Sequence, residues 1–373
     1  MKVTYNYLPQ EFKDCSKIIS RWKQLIKSSE YTLGPYIKNW EKRFAKYVGA
    51  KYCISTNNGT DALILALKSL NLSSSDEVIT VANTFYATVG AIVAVGAKPV
   101  LIDSDNRYQI NVDMIEDAIT KNTKVIIPVH WGGASPNMKK IMMLAKKYNL
   151  KVIEDACMGI GGQVGHKHPG TFGDVNAFSM HPLKSLNAIG DGGMVVTNNL
   201  KLYSWMSKYR NHGMVDRDNI DFWGVNMRLQ PLQSVVAEIG LDKLDETISK
   251  RNKNALILDN GLRKLINEVS LPERIDQNKE TFSLDMATFK QRDKLKKFLT
   301  ENNIEVKIHY PKPLHKQKAA QSNCIFNDAK LKNVEKQAKS LLTIPVHQFL
   351  NENHMHFINK KIYEFYGRIY KRD

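Results

Sequence analysis

Tyr52-Cys53-Ile54-Ser55-Thr56-Asn57-Asn58-Gly59-Thr60-Asp61-Ala62-Leu63 reads as one strand, one tight turn and the opening of one helix. Residues 52–56 mix aromatic and β-branched side chains, which suit a pleated, buried surface. Asn58-Gly59 is a turn pair, and residues 61–70 repeat apolar side chains at helical spacing. The same unit recurs downstream. The pattern predicts strands over 77–82, 99–103, 124–130, 151–155, 175–180 and 193–197. Helices are predicted over 84–95, 113–119 and 138–148. Strands separated by crossover helices imply an α/β fold with a mostly parallel sheet covered on both faces. Ligands of such sheets sit beyond the carboxyl ends of the strands, so chemistry is expected there.

After Leu200 the pattern turns helical, over 203–209 and then 230–266, until Pro272 breaks it. The remainder reads as a smaller α+β unit, with strands over 282–289 and 305–309, a helix over 292–302 and a final helix over 352–370. The loop over 311–333 is long, a length that usually marks function or mobility.

Composition narrows the class. The chain has 373 residues and is 43% hydrophobic and 24% charged, which excludes disorder, a collagen-like chain and a small disulfide scaffold. Cys15, Cys53, Cys157 and Cys324 are far apart with no Cys-x-x-Cys pair, so neither a zinc site nor a redox motif is expected. The opening residues carry no apolar stretch of secretory type, and 87–97 is too short to span a bilayer. A soluble cytoplasmic protein is the expectation. The net charge of +17 would suit an anionic partner. The lysines are spread over helix-like segments rather than gathered among stacking aromatics, so nucleic acid is not the expected ligand.

Three segments carry chemistry. Asn57-Asn58-Gly59-Thr60-Asp61 opens a helix after a strand, where unpaired amides hold a phosphate; an ordinary capped turn reads the same way. Glu154-Asp155 ends an apolar strand, and alternation sends the two carboxylates to opposite faces. One of them is placed to pair with a protonated ring nitrogen, or simply to cap the next turn. Lys184 follows Phe178-Ser179-Met180-His181-Pro182-Leu183 and precedes the turn Gly190-Asp191-Gly192-Gly193. Burial there would lower its pKa and free the neutral amine for a Schiff base; an exposed loop lysine is the plain alternative. Phosphate cradle, carboxylate and lysine together match the three handles of pyridoxal 5′-phosphate.

On these residues the chain resembles the sugar aminotransferases of DegT/StrS type, pyridoxal-phosphate enzymes acting on nucleotide-linked keto sugars. The resemblance runs nearly end to end. It includes Leu33-Gly34-Pro35 with Trp40-Glu41, Asn58-Gly59-Thr60-Asp61-Ala62-Leu63, Asp76-Glu77-Val78-Ile79 and Asn83-Thr84-Phe85-Tyr86-Ala87-Thr88. Gly96-Ala97-Lys98-Pro99-Val100, Pro128-Val129-His130, Glu154-Asp155-Ala156 and Gly170-Thr171-Phe172-Gly173-Asp174 follow in order. Asn211-His212-Gly213, Gly224-Val225-Asn226-Met227-Arg228 and His309-Tyr310-Pro311-Lys312-Pro313-Leu314-His315 complete the series.

The resemblance implies an aspartate aminotransferase-like fold (fold type I). A large cofactor domain with a seven-stranded, mostly parallel mixed sheet would span 1–250, and a small α+β domain 251–373. Lys184 would be the Schiff-base lysine and proton shuttle, and Asp155 the partner of the ring nitrogen. Phe85 would stack on the ring, and Asn58, Gly59, Thr60 and Ser179 would hold the phosphate. Asn226 would reach the phosphate of the neighbouring subunit in a homodimer. His181, His309, Tyr310 and His315 would lie near the sugar nucleotide. The implied cofactor is pyridoxal 5′-phosphate, passing through pyridoxamine 5′-phosphate, with L-glutamate as the donor. The turn after Lys184 leans toward amination at C3 rather than C4.

Two departures stand out. Met158 replaces a glutamine usual in the family, and a thioether makes few hydrogen bonds. Gln230-Pro231-Leu232-Gln233-Ser234 stands where the family is richer in alanine. Other readings are a pyridoxal-phosphate-binding regulator without turnover and a cofactor-dependent sugar dehydratase. Dehydratases of this kind carry histidine at the lysine position, and this chain keeps Lys184. A dinucleotide oxidoreductase fails on spacing, because the glycines from Gly159 to Gly165 follow a late strand.

Overall fold

A computed structural model describes residues 1–369. Seven strands form the central layer: β1 (Tyr52–Thr56), β2 (Glu77–Val81), β3 (Lys98–Ile102), β4 (Thr123–Ile127), β5 (Lys151–Val152), β6 (Val175–Ser179) and β7 (Gly193–Thr197). Their order is β3-β2-β4-β5 on one side and β6-β7-β1 on the other. The expected strand over 151–155 is regular only at Lys151–Val152. Its continuation joins the two halves, because Asp155 bridges Val129 and Ala177 in parallel. β2 pairs in parallel with β3 and β4, and β4 with β5. Only β7 runs against the rest, antiparallel to β1 and β6. Every residue of β2, β6 and β7 is buried, as a sheet covered on both faces requires.

The turns follow from local chemistry. Asn58 caps the helix Gly59–Lys68, its Oδ1 accepting from the Asp61 amide at 2.8 Å. Gly193 lets the β7 backbone come against that cap, since a Cβ there would lie 2.2 Å from the Asn58 carbonyl oxygen. The Gly-rich turn after Lys184 and the turn before Thr60 are therefore one packed junction.

The C-terminal unit is a three-stranded antiparallel sheet of β8 (Val269–Ser270), β9 (Asp285–Phe289) and β10 (Leu341–Ile344), in the order β10-β9-β8. Helices Arg292–Glu301 and Glu352–Ile369 pack on its core through Leu295, Leu299, Ile358 and Ile362. Tyr370, the expected end of the last helix, lies outside the described residues. Three expectations change here. Residues 305–309 do not form a strand; that segment is tied to the sheet by a single bridge from Lys307 to Thr343. The helical run over 230–266 divides into Pro231–Leu241 and Leu244–Leu262. β10, hidden behind the long loop, was not expected at all. Residue 250 falls inside the helix Leu244–Leu262, and Val3 from the N-terminal segment packs into the C-terminal core.

Candidate active site

A cavity of about 320 Å³ opens beyond the carboxyl ends of β1, β2 and β6. Asn58, Gly59, Thr60, Phe85, Asp155, Ser179, His181, Lys184, His309 and Tyr310 all line it. Residues distant in sequence thus meet at the place the α/β topology assigns to ligands.

One end is built for an anion. The first turn of the helix Gly59–Lys68 has amides with no acceptor inside the helix, and Asn58 satisfies only that of Asp61. Gly59 faces Ser179 so closely that a Cβ would sit 2.7 Å from the serine Cβ and 3.0 Å from its Oγ. The bare glycine therefore lets the helix start lie directly against Ser179 and Cys157.

Asp155 supplies the negative charge. It is buried, and its Oδ2 accepts from the Thr88 hydroxyl at 2.7 Å, which contacts the Thr84 hydroxyl at 2.8 Å. Oδ1 accepts from the Cys157 amide at 3.2 Å. Among the described residues no cation lies within ion-pair distance of it. A buried carboxylate held only by neutral donors is suited to a cationic ligand atom.

Lys184 follows β6 and is fixed through its backbone: its amide donates to His181 O at 2.8 Å, and its carbonyl accepts from the Tyr7 hydroxyl at 3.1 Å. Its amine has no hydrogen-bond or ion-pair partner among the described residues. Burial pushes its pKa below the ordinary lysine value, against the pull of Cys157 and Asp155. The Cys157 thiol is itself pushed well up by burial.

Aromatic and imidazole groups close the remaining walls. Phe85 is 47% exposed, on the cavity side, with its ring centroid 6.3 Å from Tyr310. Tyr310 also meets Tyr86 at 5.3 Å and Trp131 at 5.8 Å, and burial pushes its hydroxyl up to about 12. The His309 Nδ1 pairs with the Thr343 hydroxyl at 2.9 Å; burial, with Lys184 and Lys307 nearby, pulls the ring down to about 4. His181 is lowered by partial burial and by Lys184.

Two expected site residues lie elsewhere. His315 is fully buried outside the cavity, 3.2 Å from Glu335 and 3.9 Å from Asp328, both of which also pair with Lys316. Asn226 is exposed and accepts from its neighbour Arg228 at 3.0 Å. The sequence reading missed Tyr5, Tyr7, Trp131, Arg251 and His347, which also line the cavity. They come from the N-terminal segment, the segment after β4, the helix Leu244–Leu262 and the loop after β10, where no local motif marks them.

The profile of the DegT/DnrJ/EryC1/StrS aminotransferase family matches residues 13–363. The chain belongs to this family. The aminotransferase is 36% identical over 345 residues to a pleiotropic regulatory protein of Geobacillus stearothermophilus, covering 92% of each chain. It is 40% identical over 297 residues to dTDP-3-amino-3,6-dideoxy-alpha-D-galactopyranose transaminase of Aneurinibacillus thermoaerophilus, covering 79% of this chain and 81% of that one. Among solved structures it superposes on DesV of S. venezuelae, crystallised with a ketimine intermediate, with a TM-score of 0.94 and 29% identity over 98% of both chains. The type I fold expected from the sequence is the fold observed.

Proposed function

We propose that this aminotransferase moves an amino group from L-glutamate to the C3 keto carbon of a nucleotide-linked sugar, giving an amino sugar for a surface polysaccharide or a secondary metabolite. The observation that carries the reading is the meeting, in one cavity, of an unpartnered Lys184 amine, an Asp155 carboxylate without a cation and an anion cradle at Gly59. These three fit the aldehyde, ring nitrogen and phosphate of pyridoxal 5′-phosphate. When bound, the cofactor supplies an electron sink and carries the amino group between the two half-reactions.

The chain's own residues supply the rest. Asn58, Gly59, Thr60 and Ser179 hold the phosphate by amides and hydroxyls. Asp155 keeps the ring nitrogen protonated, and the Thr88 and Cys157 bonds fix its carboxylate. Phe85 covers one ring face. Lys184, its pKa lowered by burial, takes a proton from the donor's α-carbon and returns protons to the acceptor side. His181, His309 and Tyr310 line the space left for the sugar, where neutral imidazoles bond hydroxyls without adding charge. Amination at C3 draws support from the galactopyranose transaminase relative, whose name carries a 3-amino group.

The working unit in this reading is a homodimer sharing its sites. Trp223 is 87% exposed, Ile220 and Val225 are exposed in the same segment, and exposed Asn226 follows Val225 in the chain. Burying such a patch favours association, and Asn226 would then reach the phosphate of the neighbouring site. No described helix is long and apolar enough to cross a membrane; the cytoplasm is the proposed compartment.

A regulatory protein that binds the cofactor without turnover is the second reading, favoured by Met158 in the cavity wall in place of glutamine. Absorbance spectra decide between them. Purified protein with pyridoxal phosphate is expected to show a visible band that L-glutamate bleaches and that Lys184→Ala lacks. A band indifferent to every amino donor selects the regulatory reading, and no band overturns both.

A further inference from the structure

Arg251 is a buried cation that none of the steps above uses. It sits on the helix Leu244–Leu262, is 1% exposed and lines the same cavity as Lys184. Its hydrogen bonds go only to neutral oxygens: Nε to Gln348 Oε1 at 2.9 Å, Nη2 to the Tyr7 hydroxyl at 2.9 Å and Nη1 to the Phe282 carbonyl at 3.4 Å. The other buried arginines differ. Arg210 pairs with Glu41, and Arg292 pairs with Asp293 at 2.7 Å. No carboxylate of the described residues lies within 4.0 Å of Arg251; Glu11 feels its charge at longer range and accepts from Gln348 Nε2 at 3.4 Å. Burying a guanidinium among neutral groups is costly, and five N–H donors against three neutral acceptors leave capacity for an anion.

Position selects the anion. The Tyr7 hydroxyl bonds both Arg251 Nη2 and the Lys184 carbonyl, so the guanidinium stands one side chain from the lysine that moves the proton. The cofactor phosphate belongs at Gly59 and Ser179. The diphosphate of a sugar nucleotide is held off the reacting carbon by the hexose. The donor's α-carboxylate, in contrast, is attached to the reacting carbon itself, and its planar pair of oxygens matches a guanidinium fork. His347, on the same wall, has a buried Nδ1 without a partner while Nε2 donates to the Thr4 carbonyl at 2.9 Å. A ligand bearing both a carboxylate and hydrogen-bond donors satisfies both groups.

We infer that Arg251, oriented by Tyr7 and Gln348, binds a carboxylate of the amino donor and so determines donor specificity. The inference rests on the aminotransferase reading for this cavity. Its test pairs Arg251→Gln with Arg251→Lys, which keeps the buried charge. Melting temperature and pyridoxal phosphate loading check each for folding. Calorimetry with glutarate, a dicarboxylate that cannot react, reads binding without turnover. Single-turnover rates with L-glutamate, 4-aminobutyrate and L-2-aminobutyrate read the donor half-reaction, and the pyridoxamine-phosphate enzyme with a keto sugar reads the acceptor half-reaction. Both variants are expected to lose glutarate binding and about tenfold to hundredfold in kcat/KM for L-glutamate. The preference over the analogue lacking the bound carboxylate should disappear, with the acceptor half-reaction unchanged. Unaltered glutarate binding in a folded variant overturns the inference, as does failure of the wild-type protein to bind glutarate. Equal loss in both half-reactions also overturns it, in favour of a packing role, and loss confined to the acceptor moves Arg251 to an acidic sugar. If wild-type protein binds glutarate through Arg251 but L-glutamate leaves the cofactor band untouched, the donor site stands and the turnover reading fails.

Discussion

Glu154 and Asp155 are adjacent in the chain and serve opposite faces of the central sheet. Glu154 turns away from the cavity and accepts from His130 Nε2 at 2.8 Å and from the amides of Gly170, Phe172 and Gly173 at 2.8, 2.6 and 2.7 Å. Asp155 turns into the cavity, held by the Thr88 hydroxyl and the Cys157 amide. Alternation along the extended continuation of β5, where Asp155 bridges Val129 and Ala177, produces this division, so one dipeptide provides a structural anchor and a ligand-facing charge.

The two conservative amides should therefore separate stability from chemistry. Asp155→Asn keeps the shape but removes the charge facing the cavity, the one proposed to pair with the ring nitrogen. It should fold normally and lose about 10²–10³-fold in the half-reaction with L-glutamate. Glu154→Gln should lose roughly 3 kcal/mol in urea unfolding, because a buried acceptor of four donors is replaced by a carboxamide with one oxygen and an NH2 that faces other donors. Similar activity losses in both variants at matched stability would contradict the division of roles.

Lys184 carries a pH prediction. Burial lowers its pKa from the ordinary 10.5, so its neutral, nucleophilic form persists to lower pH than that of a surface lysine. Attachment of pyridoxal phosphate to the apoprotein should rise with pH, with a midpoint below that of a surface lysine. Stopped-flow absorbance from pH 6 to 10 measures it. A midpoint at the surface-lysine value would mean that the amine is solvated in the apoprotein.

The extent to which this site is legible in the sequence follows its location. Asn58, Asp155, Ser179 and Lys184 stand at strand-to-helix or strand-to-turn junctions, where hydrophobic periodicity breaks and a polar residue is conspicuous. Tyr7, Arg251 and His347 reach the cavity only because the N-terminal segment and the C-terminal unit close over it. Arg251 lies between Lys250 and Lys253 on a helix whose charges look solvated, and nothing local marks it as buried. The strand expected over 305–309 failed for a related reason. Its alternation is real, since Ile304 and Val306 are buried, but Val3 and Thr343 supply only isolated bridges. His315 belongs to a resembling motif, yet the 311–333 segment folds its ring onto Glu335 rather than toward the ligand space.

Gly59→Ala tests the anion cradle. The added methyl would fall 2.7 Å from Ser179 Cβ and 3.3 Å from Cys157 Sγ, so the helix start must shift away from β6. Overpacking of this kind costs about 1–3 kcal/mol. Pyridoxal phosphate affinity should fall at least about tenfold, since both the amides and the serine are displaced. Fluorescence titration of the apoprotein measures it, and unchanged affinity would place the phosphate elsewhere.

Acid should loosen the closure of the C-terminal unit over the cavity. Burial holds His309 and His347 at about 4, below the usual 6.5. The unfolded chain then binds more protons than the folded one between these values, so stability present above pH 6.5 is lost as pH falls toward 4. Buried His347 contributes roughly 3 kcal/mol to this slope, and half-buried His309 less. Asp285, held up to about 7 by burial and Asp259, works in the opposite direction, so the informative quantity is a difference. His347→Gln should flatten the pH dependence of urea stability relative to wild type. Parallel curves would mean that protonated His347 finds solvent in the folded state.

The proposed sharing of sites between subunits predicts a complementation result. Lys184→Ala removes the reacting amine from its own subunit, whereas Asn226→Ala would impair only the neighbour's phosphate site. Each homodimer would then have two defective sites. A hybrid dimer would collect both lesions in one site and leave the other intact. Unfolding and co-refolding the two variants in equal amounts should therefore recover about a quarter of wild-type activity. Separately refolded proteins mixed afterwards should recover only as fast as subunits exchange. No recovery, with hybrids confirmed by native mass spectrometry, would confine each site to one chain and leave exposed Asn226 as a turn residue paired with Arg228.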